Sequence, residues 1–191
     1  MAAPDDDPLA GLTAPMRRVL DEWRTLGAKP VETLAVAQAR QQPDLIEAAR
    51  SLLSKQERPL PPSRVTVTRE DLSYTGPGGP QLLRVYRPDT APPGAGVTLY
   101  LHGGGYVLGS VDRYDASATA LARKSGHLVA AAAYRQAPDH RFPAAHEDAW
   151  AAWRWLMANA ASFGGDPKKL AVCRHYNRHC DPRALQTSGG V

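Results

Sequence analysis

A short apolar run, Val97-Thr-Leu-Tyr-Leu101, ends in His102 and three consecutive glycines, 103–105. That junction constrains the fold more than any other stretch. Five such residues suit a buried strand, and a glycine triplet lets the backbone turn sharply where no Cβ blocks it. Beyond it the spacing predicts a helix around Ala116–Lys124, a strand His127–Tyr134, a helix from about Ala144 to Ala160, and a last short strand Leu170–Val172. Strands and helices in alternation imply a mostly parallel sheet covered by helices, so the fold class is α/β.

The region before this body changes character twice. Met16, Val19, Leu20, Trp23 and Leu26 recur at helical spacing until Gly27 and Pro30 stop the pattern, and further helices are expected at Glu32–Arg40 and Asp44–Lys55. Pro59, Pro61 and Pro62 make a stiff connector. Arg64–Thr68 and Gln81–Arg87 then alternate on either side of the turn-rich Thr75–Pro80, which predicts an antiparallel hairpin at the start of the sheet. The expected organisation is a helical region and linker over 1–62, an α/β body over 63–172, and a tail over 173–191.

Composition excludes several functions. Arg174, Arg178 and Arg183 against Asp181 supply +2 of the net charge of +4, the body through Val172 is nearly balanced and no basic stripe appears, so no nucleic-acid partner is expected. The longest apolar run, Leu128–Tyr134, is far short of the roughly 20 residues a membrane span requires. Asp5, Asp6 and Asp7 stand where a secretory signal needs positive charge. Both cysteines, Cys173 and Cys180, lie in the last nineteen residues, so a reducing, cytoplasmic location is expected.

The chemistry concentrates in His102-Gly-Gly-Gly-Tyr106. Successive glycine amides can aim at one point and hold the oxygen of a tetrahedral intermediate, each donor lowering the barrier by about 3 kcal/mol. A tight turn that caps a helix is the alternative. The segment Tyr134-Arg-Gln-Ala-Pro-Asp-His-Arg-Phe-Pro-Ala-Ala-His-Glu-Asp148 decides between them. With the HGGGY loop, it resembles the bacterial hormone-sensitive-lipase-like family of α/β-hydrolases, whose pattern is YRLAPE, a spacer, then FPAA and a helix. Gly164-Gly-Asp-Pro-Lys-Lys-Leu-Ala-Val172 resembles the lead-in to that family's nucleophile strand, and the helical region resembles its cap.

The resemblance covers about residues 16–172. It implies hydrolysis of carboxylic esters, short-chain or aryl, by a Ser, Asp and His triad in that chain order, with no cofactor and no metal. Gly104 and Gly105 become the oxyanion donors, Gly103 shapes the loop, and His102 anchors it rather than acting as the base. His146, Glu147 and Asp148 read as residues at a helix N-terminus, where negative charge is favourable.

After Val172 the pattern breaks. The family continues with one residue and then G-[DE]-S-A-G-G, which puts the first glycine at Arg174 and the nucleophile at Tyr176, within Cys173-Arg-His-Tyr-Asn-Arg-His-Cys180. No triad member is therefore expected in these 191 residues, and the polypeptide by itself is expected to be inactive. The tail is expected to be disordered and unrelated to the body, as a shifted reading frame or mis-joined gene would produce. Ser188 lies in half an elbow motif with no preceding strand, and the Cys/His run lacks the paired spacing of a zinc site. Two other functions stay open: a non-catalytic ligand-binding relative of the hydrolases, and a metal- or redox-responsive protein using the tail.

Overall fold

The computed structural model describes residues 11–55 and 63–175. The chain divides into two compact units, Met1–Pro62 and Ser63–Val191. In the first, α1 (Ala14–Thr25), α2 (Val36–Gln41) and α3 (Leu45–Lys55) are tied by side chains. Trp23 Nε1 donates to the Pro43 carbonyl at 2.8 Å. Glu22, on α1, accepts from Ser51 Oγ and Lys55 Nζ of α3 at 2.6 and 2.7 Å. Asp44 and Glu47 form a reciprocal cap at the start of α3. The helix expected over 32–40 is instead a 3-10 turn, Val31–Thr33, followed by α2. Leu34 between them is extended, and the β-branched Val31 and Thr33 disfavour a continuous helix.

The second unit holds β1 (Val67–Gly76), β2 (Gly79–Pro88), β3 (Ala95–Leu101), α4 (Asp115–Ser125), β4 (Leu128–Ala132), α5 (Ala144–Asn159) and β5 (Gly165–Arg174). The sheet order is β1-β2-β4-β3-β5. β1 pairs antiparallel with β2, and β2 antiparallel with β4, while β4, β3 and β5 run parallel. Four strands therefore point one way and β2 alone points the other.

β4 shows why the sheet sits between two helical layers. All five of its residues are buried. Leu128, Ala130 and Ala132 join one core with Leu83, Val97, Leu99 and, from α5, Ala152 and Leu156. Val129 and Ala131 face the opposite core with Tyr86, Tyr100 and, from α4, Ala118 and Ala122. A strand covered on both faces reads as an unbroken apolar run, and each fully buried Leu contributes about 1.5–3 kcal/mol. The small alanines leave room for the helices to lie close.

β5 pairs with β3 from Val97↔Leu170 to Leu101↔Arg174, after an irregularity next to Ala95↔Gly165. Cys173 and Arg174, read from sequence as the start of an unrelated tail, thus belong to the sheet. The rest of that segment lies outside the described residues. From β3 the chain passes by α4 to β4 on one side, then by α5 to β5 on the other. This reversal makes the carboxyl ends of β3 and β5 a topological switch point, where α/β sheets form a crevice.

Among the described residues β5 forms one edge of the sheet and β1 the other, and Val172 on β5 is 40% exposed. Lys168 and Lys169 stand in the first part of this strand, so the stretch able to recruit a further strand is the apolar Leu170–Val172, and a lysine placed within it blocks that. Sedimentation velocity should show concentration-dependent association of the 191-residue chain, reduced in Val172→Lys. A monodisperse wild-type monomer at every concentration would contradict this.

Candidate active site

Three parallel strands end at one side of the sheet: β3 leads into His102, the one of these residues expected from sequence, β4 into Tyr134 and Arg135, and β5 into Arg174 and His175. His102 is 3% exposed. Its ring stacks on Tyr134 at 4.4 Å between centroids and on Tyr114 at 5.7 Å. Its Nδ1 lies 2.8 Å from the Gly103 carbonyl, which only accepts, so Nδ1 carries the proton. The Tyr134 hydroxyl donates to the His102 carbonyl at 2.8 Å. Burial pushes the His102 pKa below its ordinary value and that of Tyr134 up to about 12. The imidazole is thus buried and bonded to its own loop.

The glycine loop follows directly. Gly104 has φ +118°, and a Cβ there would lie 1.9 Å from the Leu108 carbonyl oxygen, so only glycine fits. Its carbonyl accepts from Val107 N and Leu108 N at 3.1 and 2.8 Å, closing the turn. A Cβ at Gly103 would meet the His175 carbonyl at 2.8 Å. The loop is also pinned from the β4 exit. Ala137 N donates to the Tyr106 carbonyl at 2.9 Å, and Gln136 Nε2 donates to the Leu108 carbonyl at 2.9 Å. The amides of Gly104 and Gly105 make no hydrogen bond among the described residues.

Tyr106 sits at φ +65°, a conformation that costs a non-glycine residue about 1–3 kcal/mol. Its side chain is held on both sides. Arg174 Nη1 donates to its hydroxyl, with the guanidinium carbon 4.1 Å from the ring centre, and the hydroxyl lies 3.1 Å from His146 Nε2. Leu101, Tyr106, Tyr134, Ala145, His146, Ala149 and Arg174 enclose a cleft of about 100 Å³.

Asp148 corrects the sequence reading. Glu147 does lie in the first turn of α5, but Asp148 is fully buried and serves another purpose. It accepts from Arg135 N, Nε and Nη2 at 2.9, 2.8 and 2.9 Å. Arg135 Nη2 also reaches Glu147 at 3.3 Å, and these carboxylates raise the Arg135 pKa. The roles of Tyr134, Arg135 and Arg174 were missed. The first two had a signal, a polar pair closing an apolar strand; Arg174 had none. Tyr176, at the nucleophile register, lies outside the described residues.

This arrangement, a glycine loop anchored at the switch point of a mixed sheet, defines an α/β-hydrolase. Comparison with known proteins narrows it. A family model described as the α/β-hydrolase fold matches residues 98–173. Esterase LipI of Mycobacterium tuberculosis is 40% identical over 131 residues, covering 68% of this chain and 40% of that protein. Ethyl acetate hydrolase of Pseudomonas putida is 41% identical over 146 residues, covering 75% of this chain and 43% of that one. The hyperthermophilic esterase of the archaeon Pyrobaculum calidifontis has a TM-score of 0.65 at 36% identity, covering 85% of this chain and 49% of its own. The chain belongs to the hormone-sensitive-lipase-like carboxylesterase family of α/β-hydrolases. It spans less than half the length of these two curated relatives.

Two outcomes follow from the buried groups. Removing one partner of a buried ion pair costs about 3–5 kcal/mol, whereas replacing both with apolar residues costs far less. Urea denaturation should therefore show Asp148→Ala to be strongly destabilised, and Arg135→Met/Asp148→Leu to recover most of the loss. Equal stabilities of the single and double variants would refute this.

His102 has a lowered folded pKa, so below its unfolded value, about 6.5, the unfolded chain binds the extra proton and the folded chain resists it. Stability is full above that pH and falls as pH drops through it toward the folded value. Urea midpoints measured from pH 7.5 down to 5 should decline for the wild type and flatten in His102→Phe. Parallel declines would show that other groups control this window.

Proposed function

We propose that this chain is the oxyanion-loop portion of a carboxylic-ester hydrolase, and that the 191-residue polypeptide by itself has no turnover. The observation that supports the first part most is the loop. Gly104 and Gly105 carry amides with no acceptor among the described residues, in a turn pinned by His102, Gln136 and Ala137. An ester carbonyl oxygen placed against those two amides would gain donors as negative charge develops on it, worth about 3 kcal/mol per donor. His102 and Gly103 then support the loop without touching the reacting atoms.

In this reading a serine attacks the acyl carbon, the carbonyl π pair moves to the oxygen, and a histidine takes the serine proton. The alkoxide leaves with that proton, and water releases the acid from the acyl-enzyme. The chain's own residues supply the oxyanion donors and the apolar cleft. No metal or redox cofactor is needed. The cleft's small size and its walls of Leu101, Tyr134, Ala145 and Ala149 suit short acyl or aryl groups. The name of the ethyl acetate hydrolase among the relatives fits that size.

The second part rests on Arg174. It stands at the family's first elbow glycine, paired in the sheet and stacked on Tyr106, and the nucleophile register falls on Tyr176. An aromatic residue in place of the serine leaves the oxyanion donors without a nucleophile held about 3 Å away. The formed cleft favours one second reading, a non-catalytic binding protein. Among the described residues no group of three His, Cys, Asp or Glu side chains could hold a metal, and no helix is long and apolar enough to cross a membrane. Cys180 and His179 lie outside those residues. A cytoplasmic location fits the absence of cysteine before Cys173.

Hydrolysis of p-nitrophenyl acetate by the purified chain should match an inert-protein control at every substrate concentration. Saturable turnover that disappears on covalent labelling of a serine would overturn the inactive reading, with Ser188 the first residue to replace.

A further inference from the structure

One wall of the cleft is held by two side chains that respond differently to pH. Tyr106 follows the glycine triplet at φ +65°, a backbone conformation that residues other than glycine rarely adopt. Its phenol oxygen has two partners among the described residues, Arg174 Nη1 from β5 and His146 Nε2 from α5, the latter at 3.1 Å. A guanidinium only donates, and it stays charged throughout the range in which proteins are folded. The phenol therefore accepts from Arg174, and its own proton goes to His146 Nε2. That second bond needs a neutral imidazole with its proton on Nδ1.

We propose that His146 is a pH-operated latch on Tyr106, closed while the imidazole is neutral and released when Nε2 takes a proton. Protonation turns the acceptor into a donor and leaves the phenol proton without a partner. It also sets a second cation across a single oxygen from Arg174. Facing His146 are Tyr106, with Arg174 and the Tyr134 ring beyond it, and the Phe142 ring at 5.2 Å. Glu147, beside it on α5, is bonded to Arg135. Among the described residues no carboxylate pairs with His146 to offset the added charge. His146 is exposed, so its charged form is hydrated and the response stays local. The Tyr106 main chain also keeps its place, because its carbonyl accepts from Ala137 N. Only the ring is let go, and the cleft opens on that side as pH falls through the window in which histidines change charge, roughly 8 to 5. The latch concerns the cleft wall and holds with or without ester hydrolysis.

The test follows the ¹³C,¹⁵N-labelled 191-residue chain by NMR from pH 8 to pH 5. The His146 ring nitrogens report its tautomer and charge, and ring-to-ring NOEs report the latch. At pH 8 His146 should carry its proton on Nδ1, with NOEs from the Tyr106 ring to the rings of His146 and Tyr134. Those NOEs should disappear in step with the charging of His146, while the amides of Leu128–Ala132 in β4 keep their shifts. In His146→Gln, whose side-chain oxygen accepts at every pH, the NOEs between Tyr106 and Tyr134 should persist to pH 5. A proton on Nε2 at pH 8, NOEs that survive full charging of His146, the same loss in His146→Gln, or a loss seen only together with the β4 amides would each overturn the proposal. The esterase reading would survive any of these results, because it rests on the glycine loop and is read by ester turnover.

Discussion

A carboxylate with no exposure to solvent sits beside the chain's exit from β4, and much of the candidate site depends on how it is satisfied. Asp148 takes three N–H bonds from Arg135 alone, one from the main chain and two from the guanidinium. Burying that charge unpaired would cost several kcal/mol, so the bonds must form together or the helix cannot dock. Once formed, they fix the chain immediately after β4 against α5. Tyr134 is the preceding residue, and its hydroxyl grips the His102 carbonyl. The order of the loop at β3 is thus inherited from an ion pair between the segment after β4 and α5.

The same exit segment acts a second time through Gln136 and Ala137, which bond the carbonyls of Leu108 and Tyr106. The glycine loop contributes little order of its own, since glycine loses more conformational freedom on folding than any other residue. It stays in one shape because the carbonyls of Gly103, Gly104 and Tyr106 are taken by neighbours, while the Gly104 and Gly105 amides are left without acceptors among the described residues. Carbonyls bonded for structure and amides left open is the division that the proposed oxyanion site requires.

The sheet and the loop could be read from sequence because they follow from local chemistry. Alternation at 81–87 and the five-residue apolar run at 128–132 have few alternative structures, and the glycine triplet with Tyr134–Asp148 carried the family resemblance. What escaped depends on contacts distant in the chain. Asp148 looked like a helix-terminal acid because its partner, thirteen residues earlier, is not on the helix. The end of β5 was placed two residues early, since Cys173 and Arg174 have no strand-like pattern and are held there by pairing with Tyr100 and Leu101. The break at 32–36 turns on Leu34, whose extended backbone a propensity average over that window misses.

Arg174 shows how separable scaffold and chemistry are in this fold. A strand accepts almost any side chain whose backbone can continue the ladder, so arginine pairs opposite Leu101 and the His175 amide still reaches the Leu101 carbonyl at 2.9 Å. The strained turn that must follow in a serine hydrolase is less tolerant, because small residues have to flank the nucleophile. The family's architecture therefore persists through the last paired residue of β5, while its reaction depends on the very next positions. At that boundary a side chain that the hydrolase pattern excludes finds an aromatic face on Tyr106 and brings a positive charge to an apolar cleft. The sheet provides the position, and the chemistry there is set by the residue that occupies it.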